Sequence, residues 1–252
     1  MATRKILVSG CAGYIGSELC KKLNEIGYYV EGIDNQMYKN CYLVKTKKNY
    51  KIHKLDIRDI KENFLKKFDT YIHLPALTNN PVDDLNPKKL YDETKRYTYR
   101  VAKLCKKYKI KFIFPSSCSV YGETAGDKFY TEKSKLNPVS FYSKNKVEIE
   151  NILKKLSSKS WRPIILRIST LFGVSEKMRF DLALNMFLGS AVVKNKIILN
   201  SDGQAWRPHV HLSDVIQAFI CSINYNNKKL EIINVGSSKN NYKMIDTVKI
   251  IK

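Results

Sequence analysis

The sequence predicts an α/β protein built on a doubly wound parallel sheet, with a small, mostly C-terminal subdomain. Short apolar runs alternate with stretches of helical periodicity through most of the chain, a pattern typical of βαβ units. A glycine-rich turn, "SGCAGYIG" at 9–16, follows the first apolar run and opens the first helical stretch. The alternation weakens after residue 170. We therefore expect one domain over residues 1–168 and a second portion over 169–252 that is partly interleaved with the sheet.

Each element of this fold is predicted from its own pattern of apolar residues. Continuous apolar runs predict buried strands over 5–8, 28–33, 50–55, 69–74, 111–115 and 162–167. Helical spacing predicts helices over 14–26, 86–108 and 139–157. Gly27 follows the first of these helices as a C′ residue. In the C-terminal portion we expect a helix over 176–190, a strand over 196–200, a strand and a helix over 209–225, a strand over 230–235 and a helix over 242–252.

The composition indicates a globular protein. The chain has 252 residues, of which 44 % are hydrophobic, enough for a substantial core. No apolar run is long enough to span a bilayer, and the charged start leads into a strand-like run rather than a signal peptide, so we expect a cytoplasmic protein. The six cysteines form no CxxC pair and have no zinc-ligand spacing with the four histidines. This pattern predicts reduced thiols and no metal site.

The net charge of +22 raises nucleic-acid binding as a hypothesis. The lysines are spread along the whole chain, mostly at positions where a predicted helix faces solvent. A coding bias toward lysine accounts for such a distribution equally well. No DNA- or RNA-binding motif accompanies the charge, so the sequence argues against a nucleic-acid partner.

The glycine turn predicts a dinucleotide site because of its context. It lies between a predicted strand and a predicted helix, where Gly10 makes the tight turn, Gly13 admits a pyrophosphate and Gly16 allows close packing. The helix N-terminus offers amide donors to the diphosphate. Asp34, at the end of the second strand, can accept hydrogen bonds from an adenosine ribose and would repel a 2′-phosphate. The sequence therefore predicts a Rossmann-like domain that binds NAD rather than NADP.

A tyrosine and a lysine four residues apart, Tyr142 and Lys146, open a later predicted helix. At this spacing they share one helix face. An adjacent ammonium group lowers the pKa of a tyrosine, so the pair is a candidate base. The spacing alone is weak evidence in a chain with 16 tyrosines. It gains weight from the glycine turn, from Asp34 and from the segment "SSCSVYG" at 116–122.

Together these motifs resemble the extended short-chain dehydrogenase/reductases, specifically the NAD-dependent epimerase/dehydratases that act on nucleotide sugars. The resemblance covers essentially the whole chain and implies an NAD-binding domain over 1–168, a substrate-binding portion over 169–252 and a homodimer formed by the helices over 86–108 and 139–157. Pro75 departs from the family's fourth-strand motif, and Thr94 stands where the family usually has asparagine.

The resemblance also implies which residues form the site. Asp56 would contact the adenine amino group and Ile57 would pack on the adenine ring. The implied catalytic residues are Ser117, Tyr142 and Lys146. The implied cofactor-binding residues are Gly10, Gly13, Tyr14, Ile15, Gly16, Asp34, Asn35, Asp56, Ile57, Leu74, Ala76, Tyr142 and Lys146. The implied substrate-binding residues are Thr78, Ser117, Thr170, Asn185 and Arg207.

The reaction implied by the resemblance starts with proton abstraction from a sugar hydroxyl, at C4, by the Tyr142 phenolate. Ser117 would share that proton, and the hydride would pass to NAD. An epimerase returns the hydride; a 4-dehydrogenase or reductase carries out net redox chemistry; a non-catalytic nucleotide- or RNA-binding protein keeps only the scaffold. The 4,6-dehydratases carry carboxylates where this chain has Cys118 and Ser119, which argues against 4,6-dehydration. For Cys118 we favour a small buried residue over a catalytic thiol.

The segment 203–211 resembles the part of the family in which an arginine grips the nucleotide diphosphate. Arg207 fits that role because a guanidinium binds phosphate bidentately. His209 and His211 alternate along a predicted strand, and with no third ligand they read as strand residues rather than a metal pair. Asp214 is expected to cap the helix that follows.

Overall fold

The computed structural model describes residues 4–37, 41–43, 48–76, 87–122 and 129–251. The main-sheet strands are β1 (Lys5–Ser9), β2 (Tyr29–Asp34), β3 (Lys51–Lys54), β4 (Thr70–His73), β5 (Lys111–Ser117), β6 (Ile164–Ile168) and β9 (Glu231–Val235). All the pairings are parallel, in the order β3-β2-β1-β4-β5-β6-β9. The predicted doubly wound sheet is confirmed.

Helices cover both faces of this sheet, α1 and α6 on one side and α3 and α4 on the other. The helices of the described residues are α1 (Tyr14–Glu25), α2 (Glu62–Leu65), α3 (Pro87–Lys107), α4 (Phe141–Leu156), α5 (Ala183–Lys194), α6 (Leu212–Asn224) and α7 (Met244–Ile251). Side chains alternate between two cores: Ile6 and Val8 pack with α1 and α6, whereas Leu7 packs with α3 and α4. Burial on both faces explains why the strands are continuous apolar runs in the sequence.

A second sheet belongs to the C-terminal portion. It contains β7 (Thr170–Phe172), β8 (Trp206–His211) and β10 (Asn241–Lys243) in the order β10-β8-β7. Between β8 and β10 the chain returns to the main sheet through α6 and β9. The chain therefore passes between the two sheets more than once. Within the described ranges, no helix combines the length and apolar character needed to cross a bilayer.

The C-terminal portion also holds the errors of the sequence prediction. The helix expected over 176–190 begins only at Ala183, because the amide of Glu176 donates to the Glu18 carboxylate and that of Lys177 to the Ser175 hydroxyl. The strand expected over 196–200 is absent; this apolar run has no strand partner and Ile198 is 59 % exposed.

Two further corrections concern helix starts. Residues 241–243 form β10 rather than the start of the last helix, because they pair with β8. Asp214 lies in the first turn of α6 but does not cap it. The cap is His211, whose Nδ1 accepts a hydrogen bond from the Ser213 amide. Gly27, by contrast, adopts a φ of 89° just beyond α1, as expected for a C′ residue.

Candidate active site

The glycine turn lies at the carboxyl ends of β1 and β4, where the strand order reverses, which is the usual ligand crevice of such sheets. Gly10 has a φ of 72°, and a Cβ there would lie 3.1 Å from the Pro75 nitrogen. The backbone of Pro75 therefore packs against Gly10, next to the space that a side chain on residue 10 would fill. A Cβ on Gly16 would lie 2.1 Å from the Gly10 carbonyl oxygen. Both glycines are required by close backbone approach.

The N-terminus of α1 fits an anionic ligand. Its N-cap, Gly13, provides no side-chain cap, and the first turn contains no acidic residue. The helix dipole and the first amides, including those of Tyr14 and Ile15, therefore present positive potential to the crevice. The turn that approaches these amides is the cradle expected for a dinucleotide pyrophosphate.

Asp34 is held against the same turn. Its Oδ2 accepts a hydrogen bond from the Ala12 amide at 3.1 Å, and its Oδ1 accepts one from the Gln36 amide at 2.7 Å. The carboxylate thus lies at the end of β2 beside the crevice, where the ribose of a dinucleotide would be. Backbone donors hold it there without neutralising its charge.

The residues expected at the adenine end lie together beyond β3. Asp56 caps the 3-10 turn Ile57–Asp59, and its carboxylate also pairs with the Arg58 guanidinium. Hydrogen bonds from Arg58 hold the pKa of the Asp56 carboxyl below its usual value. Ile57 is buried in the core under α3. Asn35 lies near the Asp56 carboxylate, so the chain beyond β2 approaches the chain beyond β3 at this point.

Tyr14 and Asn185 form an internal clamp. The Tyr14 hydroxyl donates to the Gly173 carbonyl at 2.6 Å and accepts from the Asn185 amide at 3.2 Å. Asn185 is 4 % exposed; its Oδ1 accepts from the Gly173 amide and its Nδ2 also donates to the Arg179 carbonyl. These bonds correct the expectation for Asn185, which here joins α5 to α1 rather than offering its amide to a substrate.

The three implied catalytic residues come together at the end of β5. Ser140 caps α4 by accepting from the Ser143 amide at 3.1 Å, which sets the first turn of that helix and so places Tyr142. The Ser117 hydroxyl lies near the Tyr142 side chain. One turn later, the Lys146 Nζ donates to the Pro115 carbonyl at 2.7 Å and lies 5.5 Å from the centre of the Tyr142 ring.

The protonation of this pair differs from the expectation. Burial raises the pKa of Tyr142 to about 12, although the charge of Arg179 and the nearby Ser117 hydroxyl act in the opposite direction. Burial lowers the pKa of Lys146 to about 7, with the charge of Glu150 opposing. A lowered tyrosine pKa was expected from the adjacent ammonium. Desolvation outweighs it, because the Lys146 amine is directed at a backbone carbonyl rather than at the phenol.

A cavity of about 840 Å³ opens next to Ser117, a volume in the range of small-molecule sites. The residues expected on the substrate side, Thr170 and Arg207, line it together with Cys118 and Ser119. The Ser119 hydroxyl is buried and has no hydrogen-bond partner within the described part of the chain. Burial raises the pKa of Cys118 to about 11, so this thiol is protonated at neutral pH. Thr78 lies outside the described residues.

Sequence reasoning missed a buried polar network behind this cavity. Glu150 and Arg167 form an ion pair, and Arg167 also donates to the Tyr121 hydroxyl at 2.9 Å. Two signals were available: an arginine inside the apolar run of β6, and a glutamate that continues the helical face of Tyr142 and Lys146. His209 and His211 are not part of this network. His209 Nε2 lies 3.3 Å from the Thr247 hydroxyl, and His211 caps α6.

Comparison with known proteins identifies the family. Residues 6–236 match the NAD dependent epimerase/dehydratase family. The chain belongs to this family. Bifunctional protein gal10 of Schizosaccharomyces pombe is 31 % identical over 255 residues, covering 88 % of this chain but 36 % of its own length. The uncharacterized UDP-glucose epimerase YtcB of Bacillus subtilis is 28 % identical, covering 93 % of this chain and 77 % of its own length.

Solved structures of family members have the same fold. The UDP-N-acetylglucosamine 4-epimerase of Methanobrevibacter ruminantium, solved with UDP-N-acetylmuramic acid, superposes with a TM-score of 0.86 at 26 % identity, covering 99 % of this chain and 81 % of that one. Dehydratases also occur among the relatives: the dTDP-D-glucose 4,6-dehydratase of Dictyostelium discoideum is 28 % identical, covering 86 % of this chain and 54 % of its own length. These relatives leave the sequence-based argument against dehydration without support.

Membership confirms NAD as the cofactor of the family, and the cradle at α1 together with Asp34 fits it. The turn 10–16 would hold the pyrophosphate and Asp34 a ribose hydroxyl. Leu74 and Ala76 lie beyond β4 at the same edge of the sheet. The chain is therefore an NAD-dependent enzyme of the epimerase/dehydratase family.

Proposed function

We propose that this chain is an NAD-dependent nucleotide-sugar epimerase that oxidises a sugar hydroxyl, at C4, to a ketone and returns the hydride. The observation that carries the proposal is the arrangement of Ser117, Tyr142 and Lys146. The Ser117 hydroxyl lines the cavity, the Tyr142 side chain lies near it, and the buried amine of Lys146 lies one helical turn further along α4.

Each side chain has a distinct role in the proposed reaction. Bound NAD supplies the acceptor and donor of the hydride, and its positive nicotinamide ring favours the phenolate. Tyr142 takes the proton of the sugar hydroxyl, and Ser117 donates a hydrogen bond to that oxygen as its charge develops. Lys146 in its charged form stabilises the phenolate. Rotation of the ketone in the cavity and return of the hydride to its other face would invert the carbon.

Features of the cavity support a nucleoside diphosphate sugar as the substrate class. Arg207 is exposed at its wall, and a guanidinium is suited to bind a diphosphate. Thr170 and Ser119 offer hydroxyl groups for a sugar. Relatives named as UDP-glucose epimerases favour a UDP-sugar.

Three alternatives follow from the same site. A 4-dehydrogenase or reductase would use the same residues with net redox. A dehydratase would need an acid at C6, and the protonated thiol of Cys118 on this cavity wall is a candidate for it. A non-catalytic nucleotide- or RNA-binding protein is disfavoured because Ser117, Tyr142 and Lys146 are all present. Homodimer formation and a cytoplasmic location stay predictions from the sequence.

The test is incubation of the purified protein with NAD and a panel of UDP-, GDP- and dTDP-sugars, followed by NADH absorbance and sugar NMR. We expect a new C4 isomer without accumulated NADH. The Tyr142→Phe variant removes the proposed base and should lower turnover at least about a hundredfold while NAD still binds. Accumulated NADH would instead indicate a dehydrogenase, and a 6-deoxy-4-keto sugar a dehydratase.

A further inference from the structure

Glu150 is a buried carboxylate with no assigned role in the proposed reaction. It is 0 % exposed, and its partner Arg167 is 2 % exposed. Arg167 donates to both carboxylate oxygens, at 3.0 Å and 2.7 Å, and the Ser116 hydroxyl donates to Oε1 at 2.6 Å. Removing two charges from water is costly even when they are paired. The pair therefore calls for a purpose beyond packing.

The helix face that carries Glu150 also carries the catalytic pair. Tyr142, Lys146 and Glu150 follow one another at four-residue spacing on α4, so they form a row along one face. Consecutive positions of β5 meet this row: the Pro115 carbonyl accepts a hydrogen bond from Lys146, the Ser116 hydroxyl donates one to Glu150, and Ser117 lies near Tyr142. The bond to Glu150 thus fixes the height of α4 along the strand.

The pair also connects this row to the cavity. Ser116, Arg167 and Asn234 are register partners across β5, β6 and β9. Arg167 donates to the Tyr121 hydroxyl, which in turn donates to Asn234 Oδ1 at 2.6 Å. Tyr121, Arg167 and Asn234 all line the cavity. Glu150 therefore joins the helix of the catalytic pair to the cavity wall.

Among the described residues, three titratable groups lie near the Lys146 amine. Tyr142 and Glu150 belong to α4. His73 belongs to β4, and its pKa is lowered to about 3 by burial and by the charge of Lys146. Arg167 of β6 lies behind Glu150. Because His73 is neutral at working pH, Glu150 is the fixed negative charge that opposes the desolvation of Lys146.

We propose that Glu150 is a positioning residue: held by Ser116 and Arg167 one helical turn beyond Lys146, its carboxylate stabilises the ammonium form of Lys146 beside Tyr142. This inference rests on the proposed function, in which Lys146 acts in its charged form. Removing the carboxylate charge makes the ammonium less favourable. Lys146 then loses its proton at lower pH, and the alkaline limb of the activity profile moves to lower pH by the same amount.

The experiment compares Glu150→Gln, the double variant Glu150→Gln with Arg167→Gln, and Glu148→Gln. The double variant avoids leaving the buried guanidinium unpaired, which would endanger folding. Glu148 is the matched control, because it lies on the same helix and pairs with Lys95 at the surface. Cooperative thermal unfolding establishes that each variant is folded. NMR of ¹³C,¹⁵N-lysine-labelled protein, assigned with Lys146→Arg, measures the pKa of Lys146 without NAD or substrate, and kcat/KM is recorded against pH.

We expect the pKa of Lys146 to fall by about one unit in Glu150→Gln, to fall by less in the double variant, because the Arg167 charge that opposes the ammonium is removed as well, and to stay at its wild-type value in Glu148→Gln, with the alkaline limb moving in parallel. An unchanged Lys146 pKa in folded Glu150→Gln or, where that variant does not fold, in the folded double variant would overturn the proposal, whatever happens to activity. A shifted pKa with an unshifted activity profile would overturn the role in the reaction. A wild-type protein without epimerase activity would count against the proposed function, whereas the NMR titration would still decide whether Glu150 acts on Lys146.

Discussion

Burial sets the charge of both members of the candidate catalytic pair. It raises the pKa of Tyr142 and lowers that of Lys146, because burial removes the water that would stabilise the charged form of each side chain. Both groups are therefore driven toward their neutral forms. The charge of Glu150 acts against this tendency at Lys146, and a positively charged cofactor ring bound near Tyr142 would act against it at the phenol. Spacing along a helix reveals which residues meet, but desolvation decides their protonation.

His73 shows the same effect at a residue that binds nothing in the proposed reaction. It is buried between aromatic rings, and its Nε2 lies 2.9 Å from the Thr98 hydroxyl. Burial first, and the charge of Lys146 second, lower its pKa to about 3. The unfolded chain takes up a proton at this residue below its ordinary pKa of 6.5, whereas the folded chain does not. Stability should therefore fall as the pH drops from 6.5 toward 3.

We expect His73→Phe to reduce that fall in stability. Phenylalanine keeps the ring packing and strands no donor, because the Thr98 hydroxyl already donates to the Thr94 carbonyl and the Tyr71 hydroxyl to Ser9. The slope of unfolding free energy against pH should decrease by up to about 1.4 kcal/mol per pH unit. Urea unfolding of both proteins across this range measures it. Parallel slopes would mean that His73 is protonated in the folded protein.

At the scale of elements, α1 and the glycine turn act as one unit. The backbone of α1 approaches the turn closely at Gly16, and the helix begins without a side-chain cap. The hydrogen bond from Tyr14 to Gly173 ties the helix to the segment that leads into α5. The cofactor cradle is thus braced by the C-terminal portion. Contacts between distant segments, rather than the glycine motif alone, hold the helix N-terminus in place.

We expect Gly16→Ala to weaken NAD binding by at least about tenfold, because the new methyl group would lie 2.1 Å from the Gly10 carbonyl and must push α1 away from the turn. Gly27→Ala is the matched control: its φ of 89° strains the new residue, but nothing lies within 4 Å of the added Cβ. Both variants should lose about 1–3 kcal/mol of stability. Calorimetric titration with NAD separates them, and wild-type affinity in Gly16→Ala would refute this account of the turn.

At the scale of the whole molecule, the dominant electrostatic feature is the excess of 45 lysine and arginine residues over 23 aspartate and glutamate residues. Like charges repel one another in the compact state, and salt screens that repulsion. Raising NaCl from about 20 mM to about 300 mM should therefore raise the Tm by a few degrees. Differential scanning fluorimetry measures it. A Tm that falls with salt would indicate that ion pairs, rather than repulsion, dominate the surface.

The sequence located the elements that are buried on both sides. Strands such as β1, β5 and β6 are continuous apolar runs because each side chain meets a core. Strands and helices beyond residue 170 were harder to predict from the sequence. There β10 forms because it pairs with β8, whereas the run 196–200 forms no strand because no neighbouring strand pairs with it. Half-buried elements depend on neighbours that a local pattern does not contain.

By itself, the sequence determined the doubly wound sheet and the glycine turn between a strand and a helix, because both depend on local spacing: apolar runs, and glycines three residues apart. The motifs taken together carried the resemblance to the family. Only the tertiary structure decided the rest. It enclosed the Asn185 amide, raised the pKa of Tyr142, capped α6 with His211 and paired Glu150 with Arg167. Desolvation and side-chain pairing depend on what lies across space, which is decided when distant strands and helices pack.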